Sequence, residues 1–181
     1  MERRNKDLLR VEYSSTVALA SYIVWSAIYG YFALRFDSDP EVCIASETKD
    51  VRIAKGTSSI AEDETDVGER FRNCFDVLFF LSAYLMTISL VISCIKNETF
   101  RKCLAIIGAL AQYALTITVI VLFVSRFRHT GRVCSGDYLK EHDPEEGYLI
   151  QQGLFIKVVF IFFAVSLVVC CVCLCIGLTL F

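Results

Sequence analysis

Four apolar runs, at residues 13–36, 75–95, 104–125 and 158–181, alternate along the chain with polar segments at 1–12, 37–74, 96–103 and 126–157. Each run holds about 20 residues or more, enough at 1.5 Å per residue to cross a hydrocarbon core roughly 30 Å thick. None shows the period-two alternation of a barrel strand, and in lipid only a helix or a closed barrel satisfies its own backbone. The pattern therefore predicts an all-α integral membrane protein, a bundle of four transmembrane helices with two extracellular or lumenal loops.

The reading divides the chain into a cytoplasmic tail (1–12), first span (13–36), first outer loop (37–74) and second span (75–95). A cytoplasmic turn (96–103), third span (104–125), second outer loop (126–157) and fourth span (158–181) follow, with essentially no C-terminal tail. The tail carries Arg3, Arg4, Lys6 and Arg10, and the turn carries Lys96, Arg101 and Lys102. That density of positive charge places both termini in the cytoplasm of a multi-pass protein of the plasma membrane or an endomembrane. The first run is too long for a cleaved leader and reads as a retained signal anchor. Asn97-Glu98-Thr99 matches a glycosylation sequon, but its place in so tight a turn marks a chance match. In the second loop, Asp143-Pro144-Glu145-Glu146-Gly147 has turn chemistry.

Composition agrees. The chain is 55% hydrophobic with mean hydropathy +0.54, and its charged residues lie in the gaps between the apolar runs. A soluble bundle would keep a polar stripe on each helix, whereas residues 104–124 contain no charge at all. A net charge of −2 without a Lys/Arg cluster argues against a nucleic-acid partner. The expected partners are the lipid bilayer and either further copies of the chain or a larger membrane complex.

Nine cysteines fall into two groups. Cys43, Cys74 and Cys134 belong to the outer side and are disulfide candidates, with all three pairings open. Of the inner ones, Cys103, Cys173 and Cys175 lie where S-palmitoylation would add acyl anchors. Small and polar positions suited to helix packing are Ser14, Ala18, Ser26 and Gly30 in the first span and Ala105, Gly108, Ala109 and Gln112 in the third.

Catalytic and metal-binding patterns are missing. His129 and His142 have no paired spacing on a helix, and Asp137, Glu141, Asp143, Glu145 and Glu146 read as a solvated loop. No phosphate loop, nucleophile elbow or HExxH motif occurs, so no catalytic residue, cofactor or metal is assigned and the chain is not expected to be an enzyme.

The first loop lacks a Trp, departing from claudins; the second has one cysteine and no Cys-Cys-Gly, departing from tetraspanins; neither has the three cysteines of connexins. The architecture resembles the MARVEL-type four-helix proteins, a resemblance that covers the topology and no specific residue. It implies a role in organising membranes, junctions or vesicles. The expectation is thus a non-enzymatic structural, scaffolding or accessory subunit that works through lateral helix packing and outer-loop contacts. The alternative is a pore-forming or auxiliary channel or transporter subunit, with Ser14, Ser21 and Ser26 on its wet face.

Overall fold

The computed structural model describes residues 2–38, 42–47, 64–95, 97–139 and 147–179, with side chains described in the first helix from Val17 to Arg35 and in the last up to Val169. Element order is α1 (Glu2–Ser38), β1 (Ile44–Ser46), β2 (Glu64–Asp66), α2 (Val67–Cys94), α3 (Glu98–Phe127), α4 (His129–Cys134) and α5 (Ile150–Thr179). Among the described residues, four helices are long and apolar enough to cross a membrane, over Val17–Arg35, Val67–Cys94, Glu98–Phe127 and Ile150–Val169.

The helices outrun the apolar segments because polar residues set where they begin. Asp66 Oδ1 accepts the Glu69 backbone N–H at 3.0 Å, and Glu69 places its charge in the first turn of α2. This satisfies an orphan amide and complements the helix dipole, so α2 starts well ahead of the lipid-compatible stretch at Phe75. Asn97 does the same for α3, its Oδ1 accepting from the N–H groups of Thr99 and Phe100 at 3.0 and 3.2 Å. The Asn of the apparent sequon is a helix cap.

Two compact units emerge, Met1–Pro40 with Arg72–Val121, and Glu41–Phe71 with Leu122–Phe181. In the first, Phe32 stacks on Phe75 with ring centroids 5.0 Å apart, and Leu78, Ser82, Leu85 and Ala111 are buried. Ser26 is buried there too, and Gly30 lies against the Phe79 ring, where a Cβ would come within 2.9 Å. Gly108 faces Ile88, and Gln112 Oε1 accepts a hydrogen bond from Tyr22 Oη at 3.1 Å. Ala18 is half-buried, Ala105 and Ala109 are exposed, and the side chain of Ser14 lies outside the described residues.

The second unit is built around a two-stranded antiparallel sheet in which Ile44 pairs with Asp66, Ala45 with Thr65 and Ser46 with Glu64. The short helix α4 packs on β1 and on α5. Phe71, Val67, Val133, Leu149 and Ile156 form its buried apolar centre. On its α5 side, Phe160 meets Phe123 and Phe127 edge-on, at 5.2 and 4.6 Å between centroids.

Close approach at Gly30 yields a steric test. Gly30→Val should lower stability by about 1–3 kcal/mol, the usual cost of overpacking. Thermal unfolding in detergent would measure it, and Phe79→Ala in the same chain should recover part of the loss.

Candidate functional site

The densest polar chemistry among the described residues lies in the second unit, at the end of α3, the turn after α4 and the start of α5. Its centre is Arg126. Being in the last turn of α3, it suits the negative end of the helix dipole, but its side chain turns inward and is 1% exposed. Nε donates to the Gly153 carbonyl at 2.9 Å, while Nη1 and Nη2 donate to Asp137 Oδ2 and Oδ1 at 2.9 and 2.8 Å. Only arginine presents donors in a planar fork that can hold a carboxylate bidentately and still reach a carbonyl.

Asp137 is positioned by the turn that ends α4. Gly136 takes φ +77°, a conformation that other side chains rarely adopt, and the Asp137 N–H bonds to the Arg132 carbonyl at 3.1 Å. The Arg126 hydrogen bonds hold the Asp137 carboxyl below its ordinary value, against a smaller opposing effect of burial; the charges of Arg126, Lys157 and Arg132 act in the same lowering direction. Arg132 Nε stands 3.7 Å from Asp137 Oδ2, and its guanidinium also lies over the Tyr138 ring at 5.0 Å.

Cys43 and Cys134 form a disulfide, with Cα atoms 6.0 Å apart. Of the three pairings open in the sequence, this is the one the structure contains, and it ties the residue before β1 to the end of α4. The same two residues are held through their backbones. Cys43 O accepts from Val67 N at 2.9 Å and Cys134 O from Leu149 N at 2.7 Å, so β1 and the starts of α2 and α5 converge on one bridge. Cys74 is a buried free thiol, whereas Cys94 and Cys103 are exposed free thiols. Cys173 and Cys175 lie on α5 with side chains outside the described residues.

Close packing depends on a glycine. A Cβ on Gly153 would overlap the Ser135 side chain, so only glycine lets α5 approach the end of α4 closely enough to offer its carbonyl to Arg126. Ser135 Oγ is buried there with no hydrogen-bond partner among the described residues.

Asp137, which the sequence groups with an acidic loop, spends both carboxylate oxygens on Arg126; Glu141, His142, Asp143, Glu145 and Glu146 lie outside the described residues. Gly147, with φ +92°, supplies the turn freedom expected of it. Among the described residues no three His, Cys, Asp or Glu side chains lie close enough to hold a metal ion. His129 sits beside the Tyr138 ring at 5.8 Å. The Arg126–Asp137 pair escapes sequence reasoning because its members stand eleven positions apart, with the end of α3, the short helix α4 and a turn between them. The Asp66 and Asn97 caps carry a legible signal, a capping residue followed at once by an acidic first turn.

Comparison with protein-family models, curated proteins and solved structures finds no match for this chain. It is a predominantly helical chain that has, among the described residues, four helices long and apolar enough to cross a membrane and one disulfide, between Cys43 and Cys134.

Non-reducing peptide mapping should recover one linked pair, Cys43 with Cys134, and Cys74 should resist alkylation until the protein is denatured. A Cys74-containing crosslink would contradict the structure. Acid should also loosen this unit. A carboxyl held below its unfolded value of about 3.9 contributes stability above that pH and loses it as pH falls toward the depressed folded value. The melting temperature should fall on acidification below about pH 4, and this component should vanish in Asp137→Asn. At neutral pH, Asp137→Ala leaves Arg126 buried without its counter-ion and should cost about 3 kcal/mol, the lower end for a broken buried pair because Asp137 keeps 22% side-chain exposure.

Proposed function

We propose that this chain is a non-enzymatic four-span membrane protein of the MARVEL type, acting as a structural or accessory subunit of a membrane assembly. The observation that carries this reading is where the chemistry goes. The most elaborate polar cluster, Arg126 with Asp137 and Gly153, is consumed in bracing a loop unit, while large apolar side chains face outward along α3 and α5. Ile106, Leu110, Ile117 and Ile120 on α3, and Ile161, Phe162, Val165 and Leu167 on α5, are exposed surfaces for lipid or for neighbouring helices. The braced unit adds Arg128, Arg132 and Tyr138 as a fixed polar and aromatic contact surface.

Connectivity supports one orientation of the loops. Two candidate spans, α2 and α3, separate Cys43 from Cys134, and an even number of crossings returns both cysteines to one face. A disulfide persists in an oxidising space, so both loops would be extracellular or lumenal and both termini cytoplasmic. The channel alternative loses one of its three candidate polar positions, since Ser26 is buried inside the first unit.

Purification from native membranes in mild detergent should carry the chain in a defined particle larger than its own 20.4 kDa, containing either further copies or other membrane proteins. Ion conductance from the purified chain alone in planar bilayers would overturn the accessory reading in favour of a pore.

A further inference from the structure

The turn joining α2 to α3 carries a groove of about 530 Å³ lined by Ile92 from α2 and by Glu98, Arg101, Lys102 and Ala105 from α3. That volume lies within the range of small-molecule sites, about 300–1,000 Å³. Its walls differ in kind. Ile92 and Ala105 give an apolar floor toward the spans, while Arg101 and Lys102 place two cations at the start of α3. Among the described lining residues Glu98 is the one acid, and its carboxylate lies 2.9 Å from the Lys102 ammonium. The first amides of α3 are not available as an anion site, because Asn97 Oδ1 already accepts from Thr99 and Phe100. Among the described residues, Arg101 and Lys102 are the side-chain cations that line it.

We propose that this groove binds the headgroup of an anionic phospholipid, with the phosphate between Arg101 and Lys102 and the start of an acyl chain against Ile92 and Ala105. Charge complementarity selects an anion, and the apolar floor selects one that carries a hydrocarbon tail. The end of a membrane-crossing helix is where such a molecule is already concentrated. Glu98 tempers the site: in the free protein it pairs with Lys102, and a bound phosphate competes with it for the same ammonium.

The proposal rests on the reading that the helices lie in a bilayer. Purified chain is reconstituted into vesicles of phosphatidylcholine and phosphatidylserine, re-extracted in mild detergent, and its retained lipids are counted by native mass spectrometry. Phosphatidylserine should be retained in preference to phosphatidylcholine. Arg101→Gln and Lys102→Gln should each cut that preference roughly fivefold, as expected for one surface cation. Glu98→Gln should strengthen it, because Lys102 is released, and Lys102→Arg should preserve it. Ala105→Trp, which fills the floor without touching a charge, should weaken it, and excess inorganic phosphate should leave the lipid bound. Equal retention of the two lipids by the unmodified chain overturns the proposal, as does a Glu98→Gln variant that retains less phosphatidylserine. Displacement by inorganic phosphate together with indifference to Ala105→Trp would make it a site for free anions and would equally overturn it. The Cys43–Cys134 linkage in each variant reports that the chain is folded. A chain that never enters vesicles fails the membrane reading, whereas a reconstituted chain without lipid preference fails this proposal alone.

Discussion

Removing a guanidinium from water costs several kcal/mol unless its donors and its charge are both answered, and the loop unit of this protein is organised around answering them for Arg126. The carboxylate comes from a turn, the carbonyl from α5, and the guanidinium from the end of α3. No one of these segments could shield the charge alone. Once all three are in place, the positions of Asp137 and Gly153 are fixed to hydrogen-bonding tolerance, and with them the turn after α4 and the start of α5. The disulfide acts on the same unit from its other side, tying α4 back to the sheet. One constraint is electrostatic and the other covalent.

Both constraints concern loops, and that explains the division of labour in the molecule. In the spans, backbone hydrogen bonds are satisfied within each helix and apolar side chains need no particular partner in lipid. Outward-facing side chains there can be exchanged among hydrophobic types at small cost, whereas buried ones such as Phe75 and Leu78, and Phe79 against Gly30, are held by their packing. The connecting segments have no such default. Their polar backbone must be satisfied piece by piece, through the Val67–Cys43 and Leu149–Cys134 hydrogen bonds and the strand pairs from Ile44–Asp66 to Ser46–Glu64.

The same contrast decides what the sequence discloses. Apolar length alone reveals four membrane-compatible helices, because lipid imposes one solution on any such run. Helix starts were legible in principle, since Asp66 with Glu69 and Asn97 with Glu98 follow capping rules, yet attention to hydropathy hides caps that stand outside the apolar stretch. The bridge between Cys43 and Cys134 could be narrowed to three pairings and no further, because ring closure between distant cysteines leaves no local trace. Arg126 was least legible. A charge next to an apolar run ordinarily snorkels to the membrane surface, and nothing near it in sequence announces that Asp137 will draw it inward.

The bridge also reaches far along the chain. Cys43 and Cys134 are 91 positions apart, so the ring that they close contains the whole of α2 and α3. A closed ring of that length denies the unfolded chain conformational freedom worth about 4–5 kcal/mol, so the bond favours the folded state chiefly by impoverishing its competitor.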